Sequence, residues 1–334
     1  MDLNIIWFIL VTILFIGFFF LEGFDYGVGI LMPFLSKDDN ERRAVINTIG
    51  PHWDGNEVWM ITAGGALFAA FPHVYATLFS GFYLALVLML VALILRGLAF
   101  EYRSLRDDPV WRNRWDWAIF GGSLAPALLW GVTVGNLMRG FAIDENMNYW
   151  GGLIPLLNPY SLLAGFVFVA LFTAHGANFL ALKLEGDLAE RAKAFGLKAW
   201  MVATVLAVLF LIWTFFETDI MAQGLNFALL ATVALLLAGW YAKSGKDGMA
   251  FIMTSLTTVF VTIMVFAGLF PRILISSLDP AFTLNIYNAS ASPYALKVMT
   301  IVAAIFIPIV LIYQIWTYKV FAGRIKADPE TLIY

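Results

Sequence analysis

The sequence predicts an all-α integral membrane protein with about nine transmembrane helices. Composition is the first reason, because hydrophobic residues make up 61% of the 334 positions and charged residues only 13%. Soluble domains are about 45–50% apolar and about 25% charged, so a water-soluble core could not hide this much apolar surface. The second reason is that the apolar residues form long continuous runs, and a helix satisfies its own backbone groups within lipid.

Nine apolar runs account for the predicted helices, most of them near the roughly 20 residues that a bilayer core requires. The first run is long and rich in glycine, which indicates either a bend or a continuation along the interface. The second and seventh runs are short. We expect residues 1–334 to form a single integral membrane domain with spans at roughly 5–35, 55–72, 76–96, 116–138, 159–183, 198–217, 224–242, 249–270 and 298–321.

The basic residues predict the direction in which the chain crosses the membrane. If the N-terminus lies outside and the runs alternate, 17 of the 20 Lys and Arg residues fall in inner segments. Only Arg139, Arg272 and Lys297 fall outside. Because cytoplasmic loops are enriched in Lys and Arg, we expect an outer N-terminus, a cytoplasmic C-terminus and an odd number of spans.

Several kinds of site are excluded by composition and spacing. The absence of cysteine excludes disulfides, iron–sulfur clusters and thiolate-ligated haem. His52, His73 and His175 are expected at different depths, so they form no evident axial pair for a haem. Metal-ligand, P-loop and dinucleotide motifs are not evident, nor is a basic tail for nucleic acid. We therefore expect neither a metal nor a cofactor bound by this chain alone.

Two carboxylates in the first predicted span form the first candidate site. Glu22 and Asp25 are three residues apart and share a helix face. Two carboxylates at low dielectric cannot both ionise cheaply, so such a pair can accept and release protons. The alternative is that these acids simply pair with an inner arginine such as Arg96. Arg96 can also extend its guanidinium to the interface, and that snorkelling is the favoured expectation.

Residues 51–59, PHWDGNEVW, form the second candidate site. Asp54 and Glu57 share a helix face near a helix N-terminus, where negative charge is favoured, so capping explains them in part. The run also holds His52 and two tryptophans, a density beyond what capping requires. A proton path or a cofactor-facing surface is the other interpretation. Trp59 lies inside the second span, where it either lines a tunnel or packs.

Long stretches of the chain resemble subunit II of cytochrome bd-type quinol oxidases. The resemblance is dense over residues 20–165 and looser afterwards, and residues 183–250 carry little of it. The most specific part is PHWDGNEVW. The matching stretches are EGFDYGVGILMPFL, ERRAVINTIGPHWDGNEVWMITAGGALFAAFP, YATLFSGFYLALVLMLVALILRGLAFEYR, WRNRWDWAIFGGSLAPALLWGVTVGNL, LLNPYSLLAG and KVFAGRI.

The resemblance implies a haem-free subunit folded as two four-helix bundles plus one extra helix. It would lie in the cytoplasmic (inner) membrane of a bacterium beside subunit I, which would hold two b-type haems, haem d and the quinol site. The complex would oxidise quinol, reduce dioxygen to water and generate a membrane potential. The resemblance leaves open a small single-span subunit, a structural quinone and the identity of the quinol.

The resemblance also implies supporting roles for individual residues, without redox chemistry in this chain. Asp54 matches a residue on a proton route toward haem d. Asp25 and Glu22 lie in the matching acidic stretch and are candidates for a second route, and Glu57 is a further candidate. Trp59 matches a residue near an oxygen-access tunnel. His52 and Arg96 match positions that organise the same region.

Two other functions are compatible with nine spans and buried acids. A proton-coupled transporter or channel is the first, although the inverted repeats and paired interrupted helices of many transporters are not evident. A purely structural membrane subunit, with every buried acid in an ion pair, is the second. A copurifying haem-bearing partner distinguishes an oxidase subunit from a transporter.

Overall fold

The structure is a computed structural model that describes residues 2–330, 332 and 333. Helices dominate the described residues, with two short antiparallel strands, β1 (Arg272–Leu274) and β2 (Leu284–Asn285), between the last two helices. The helices are α1 (Leu3–Leu35), α2 (Asp39–Ile49), α3 (Trp53–Ala70), α4 (Pro72–Gly81), α5 (Tyr83–Tyr102), α6 (Pro109–Arg139), α7 (Pro159–Lys183), α8 (Gly186–Glu217), α9 (Met221–Lys243), α10 (Asp247–Leu269) and α11 (Pro293–Val320).

Eight helices are long and apolar enough to cross a membrane within the described residues, namely α1 and α5 to α11. The polytopic all-α class is confirmed, but the predicted count of nine is only approximate. The predicted span 55–72 corresponds to α3, which has 18 residues. Its first turns carry Asp54, Asn56 and Glu57, and these polar side chains interrupt the apolar run of a short helix.

Three predicted boundaries differ from the observed helices. The predicted span 76–96 crosses a break, because α4 ends at Gly81 and α5 begins at Tyr83. The predicted spans 116–138 and 198–217 begin too late, since α6 begins at Pro109 and α8 at Gly186. In both cases the helix continues through polar turns that an apolar run does not include. Helix α1 runs without interruption from Leu3 to Leu35, and α2 is a separate helix.

Helix α1 lies at the centre of the molecule and contacts α3, α6, α7 and α10. One group of helices consists of α1, α3, α5 and α6, and a second consists of α7 to α10. Helix α11 packs lightly against α1 and α3. This arrangement agrees with the expected two four-helix bundles plus one extra helix.

Two glycines allow α1 and α7 to approach at backbone contact. A Cβ atom added to Gly27 would lie 1.9 Å from the Phe172 carbonyl oxygen, and one added to Gly176 would lie 2.5 Å from the Gly27 carbonyl carbon. In lipid, where apolar side chains gain little by association, such close packing of backbones is a main source of helix–helix stability. These two positions therefore join the two bundles.

Charged residues from the predicted inner segments gather at one end of the molecule, here called the basic end. Arg103 and Arg42 both bind Asp116, at 2.6 and 2.7 Å, and Arg103 also binds Asp39 at 2.6 Å. These ion pairs tie α2 to the connection between α5 and α6. The amino group of Lys183 donates to the carbonyl oxygens of Phe321 and Gly323 just beyond α11. Which side of the membrane this end faces stays a prediction.

The first prediction concerns the α1–α7 contact. Gly176→Ala places a methyl group against backbone that cannot rotate away, so we expect a free-energy loss at or above the ~1–3 kcal/mol of ordinary overpacking. The control is Gly121→Ala in α6, where a Cβ meets no atom of the described residues within 4 Å. Thermal unfolding of the detergent-purified protein should show a lower Tm for Gly176→Ala alone. Equal Tm values for the two variants would contradict the assigned contact.

Candidate functional site

The acidic cluster, defined as Glu22, Asp25, Asn56, Glu57 and Arg96, lies where α1, α3 and α5 meet. Glu22, Asp25, Asn56 and Arg96 are buried. The cluster forms because the i, i+3 spacing places Glu22 and Asp25 on one face of α1, toward the polar first turns of α3. Sequence positions 31 to 74 residues apart are thereby brought into one site.

Arg96 is the centre of the acidic cluster. Its Nη1 atom lies 2.6 Å from Glu22 Oε1 and 2.7 Å from Glu57 Oε1. The guanidinium carbon is 5.1 Å from the Tyr26 ring centre and 5.4 Å from that of Phe100. The expected snorkelling of Arg96 is therefore wrong, because two carboxylates and two aromatic faces bind a side chain that is 0% exposed.

Asp25 does not pair with Arg96 but accepts a hydrogen bond from an amide. The Nδ2 atom of Asn56 donates to Asp25 Oδ2 at 2.8 Å. Asp25 Oδ1 and Glu22 Oε2 have no hydrogen-bond partner in the described part of the chain. The two carboxyls lie three residues apart on one face of α1. The ion-pair alternative thus holds for Glu22 and Glu57 but leaves Asp25 without a cation in contact.

Helix α11 completes the site with two side chains that the sequence reasoning missed. Asn56 Oδ1 accepts hydrogen bonds from Gln314 Nε2 at 3.2 Å and from Tyr318 OH at 2.9 Å. Gln314 Oε1 in turn accepts from the indole N–H of Trp59 at 2.8 Å. Gln314 could have been found from sequence, since it is an amide within the apolar run 298–321.

Three of the predicted residues lie around the cluster and not within it. Asp54 is exposed, and its carboxylate accepts the backbone N–H of Gly55 at 2.7 Å, as a residue near a helix N-terminus can. The imidazole of His52 stacks on the Tyr318 ring, with centres 4.2 Å apart and planes at 7°. The indole of Trp59 packs over Gly17, where an added Cβ would lie 2.2 Å from the ring.

Glu57 connects the cluster to the surface of the chain. Its side chain is 17% exposed, whereas those of Glu22 and Arg96 are 0% exposed. It shares a face of α3 with exposed Asp54 and, one turn further, exposed Ile61. Glu57 is therefore the carboxyl through which the acidic cluster reaches the surface of the chain.

Comparisons with known proteins agree on one family. The family model described as cytochrome bd terminal oxidase subunit II matches residues 3–321. Cytochrome bd ubiquinol oxidase subunit 2 of Bacillus subtilis (strain 168) is 43% identical over 335 residues, covering 99% of this chain and 99% of the relative. Cytochrome bd-I ubiquinol oxidase subunit 2 of Escherichia coli (strain K12) is 40% identical, covering 98% and 97%. This chain belongs to the cytochrome bd oxidase subunit II family.

A solved structure has the same fold. The structure of bd oxidase from Geobacillus thermodenitrificans superposes with a TM-score of 0.77, covering 96% of this chain and 97% of that chain at 16% identity. At that identity the match is evidence for the fold alone. The predicted family is confirmed, and the relatives named above are subunits of an oxidoreductase complex.

The family implies haem in the complex, and the fully buried His175 of this chain offers no free ring nitrogen to ligate one. Both ring nitrogens of His175 are engaged, Nδ1 with Thr254 Oγ1 at 2.8 Å and Nε2 with the Phe20 carbonyl oxygen at 3.1 Å. The His52 ring stacks on Tyr318, and its Nδ1 atom has no hydrogen-bond partner among the described residues. Those residues contain no group of three or more His, Cys, Asp or Glu that could hold a metal ion.

The second prediction concerns Arg96 in this subunit. Arg96→Leu leaves Glu22 and Glu57 buried without a cation, and breaking a buried pair costs about 3–5 kcal/mol. We expect a lower denaturation midpoint for the purified protein, partly restored in the double variant with Glu22→Leu because the stranded charge is removed. Additive losses in the double variant would show that the pair is not coupled.

Proposed function

We propose that this chain is the haem-free second subunit of a bd-type terminal oxidase in a bacterial cytoplasmic membrane. The complex oxidises quinol and reduces dioxygen to water. The support is family membership together with relatives named as ubiquinol oxidase subunits. Two b-type haems and haem d then belong to subunit I. The basic end faces the cytoplasm, in accord with the excess of Lys and Arg in inner segments.

Within this complex we assign the acidic cluster to a proton route, and the charge balance carries that assignment. Three carboxyls, those of Glu22, Asp25 and Glu57, face a single guanidinium. A buried carboxylate without a cation is costly, so the cluster holds protons that a purely structural pair would not need. A group that binds and releases protons in the membrane is a natural relay.

The acidic cluster has a buried end and a partly exposed end. Asp25 Oδ1 and Glu22 Oε2 are the unpartnered oxygens, and they lie on neighbouring carboxyls. The guanidinium of Arg96 binds both Glu22 and partly exposed Glu57 and does not release its own proton, so it holds these carboxyls in place while protons move between carboxyls. We take Glu57 as the surface end of the route and the Asp25–Glu22 pair as its buried end, and Asp54 on the same helix face forms a neighbouring route.

The exposed face of α3 is the surface on which we place subunit I. Val58, Ile61 and Phe68 on this face are 52%, 66% and 59% exposed. Gly65 on the same face has no described atom within 4 Å of an added Cβ, so another helix backbone can approach it. This position brings Glu57 and Asp54 to the haem-bearing partner.

Trp59 and an apolar cavity are candidates for access by oxygen and quinone. The cavity has a volume of about 660 Å³ and lies among α1, α3, α4, α5, α6 and α10. Met60, the residue after Trp59, lines it together with Phe15 and Phe19. An apolar space of this size suits an isoprenoid chain or a lipid, so we place the structural quinone here.

The third prediction tests the assignment to an oxidase. Mild detergent purification through a tag on this chain should yield a complex with a partner subunit. Its reduced-minus-oxidised spectrum should show b-type haem and a red-shifted haem d band. A colourless preparation without a partner would favour the transporter.

The fourth prediction tests the proton route. Asp54→Asn should slow quinol-dependent oxygen uptake with haem content intact, and Asp25→Asn should do so less, because Glu22 shares its site. The matched control is Asp107→Asn, whose carboxylate is 95% exposed at the basic end. Normal turnover and normal membrane potential in Asp54→Asn would refute a proton route through Asp54. Loss of haem in Asp25→Asn would favour the purely structural alternative.

A further inference from the structure

We infer that Gln314 on α11 is a positioning residue, which holds the hydrogen-bond donor of Asn56 against Asp25 and takes its own orientation from Trp59. The inference rests on the proposed proton function of Asp25. On this inference Trp59 orients Gln314 in addition to its proposed position near oxygen access, and α11 supports the acidic cluster.

The orientation begins at Trp59, because an indole N–H can only donate. Its donation at 2.8 Å requires an acceptor, so the oxygen of the Gln314 amide faces Trp59. The Nε2 group of Gln314 then faces the other way, toward Asn56 Oδ1 at 3.2 Å. A Gln amide turned by 180° would place two donors against each other at Trp59.

The orientation of the Gln314 amide determines the orientation of the Asn56 amide, which in turn determines the group that faces Asp25. Asn56 is fully buried, and its Oδ1 already accepts from Gln314 and from Tyr318 OH. Its Nδ2 group must therefore face Asp25 Oδ2, where it donates at 2.8 Å. Every hydrogen bond from Trp59 to Asp25 runs in one direction.

This direction determines which oxygen of Asp25 exchanges protons. Oδ2 always meets a donor, and a primary amide at neutral pH does not relay protons, so exchange is confined to Oδ1. Oδ1 has no partner in the described residues and belongs to the carboxyl beside Glu22. The other titratable or charged groups near Asp25 are Glu57 on α3, Arg96 on α5, Tyr26 on α1 and Tyr318 on α11.

Few contacts hold α11 in place. The orientation of Asn56 in the acidic cluster depends on these contacts, because α11 carries both donors to Asn56 Oδ1. Most of its side chains are exposed, and Leu296 alone among those described is buried. Its polar attachments are Trp7 to Thr300 at 3.0 Å near one end, Gln314 and Tyr318 at the cluster, and Lys183 beyond the other end. An α11 that moved would remove both donors from Asn56 and release its amide.

Gln314→Glu is the decisive variant, measured in the intact oxidase complex against Gln314→Leu. A protonated carboxyl reproduces the glutamine pattern, since its carbonyl accepts from Trp59 and its hydroxyl donates to Asn56. An ionised carboxylate offers only acceptors, so Asn56 turns its donor away from Asp25. The control is Thr317→Val, whose hydroxyl donates to the Tyr313 carbonyl oxygen within the helix and to no other group in the described part of the chain.

For Gln314→Leu we expect kcat for quinol oxidation to fall roughly tenfold at every pH, the factor associated with one hydrogen bond to a charged group. KM for quinol should stay unchanged. Gln314→Glu should match the unmodified complex at low pH and fall to the level of Gln314→Leu as pH rises. Thr317→Val should match the unmodified complex throughout.

Parallel pH profiles for Gln314→Glu and Gln314→Leu would overturn the positioning role, because a merely structural defect does not depend on the charge at this site. Normal turnover of Gln314→Leu with impaired Asp25→Asn would also overturn it, while leaving the proton route intact. Normal turnover of Asp25→Asn would instead refute the part of the route on which the inference rests. If Gln314→Leu fails to assemble, Trp59→Phe tests the same step, since it removes the donor that orients Gln314.

Discussion

The contact between Arg96 and the two glutamates is the interaction on which the site depends. A guanidinium that is fully buried in a membrane helix is tolerated only when anions and aromatic faces replace its hydration. Glu22, Glu57, Tyr26 and Phe100 supply that replacement from three helices. The requirement thus holds α1, α3 and α5 together, with three carboxyls around one guanidinium, and this imbalance is the basis of the proposed proton route.

The approach of α1 to α7 makes this arrangement possible. Gly27 lies two residues from Asp25 and in backbone contact with α7, so the helix that carries two of the acids is held between both bundles. Helix α1 gains little from apolar association in lipid, and its position is therefore set by close backbone contact and by the polar groups of the cluster. Stability and function are concentrated in the same two turns of one helix.

Helix α11 lies at the periphery of the molecule but contributes side chains to the site at its centre. It packs lightly, yet its two polar side chains reach a fully buried asparagine. A donor-only indole at one end of the hydrogen-bonded series removes the freedom that amide side chains otherwise have. In the proposed route, a carboxyl pair that exchanges a proton therefore lies beside a hydrogen-bond donor of fixed orientation.

By itself the sequence determined the all-α membrane class, most of the spans, the gathering of basic residues at one end, and Glu22 and Asp25 as a pair. These follow from composition, run length and helical spacing, which are local properties. The order of packing, the burial of Arg96, the separation of Asp54 from the cluster and the parts played by Asn56, Gln314 and Tyr318 were decided only by tertiary structure. The physical reason is that side chains up to 262 residues apart meet across four helices, and run length does not encode which helix faces meet. The boundary between α4 and α5 was missed for a related reason. Apolar residues continue from α4 into α5 although one helix ends and the next begins there.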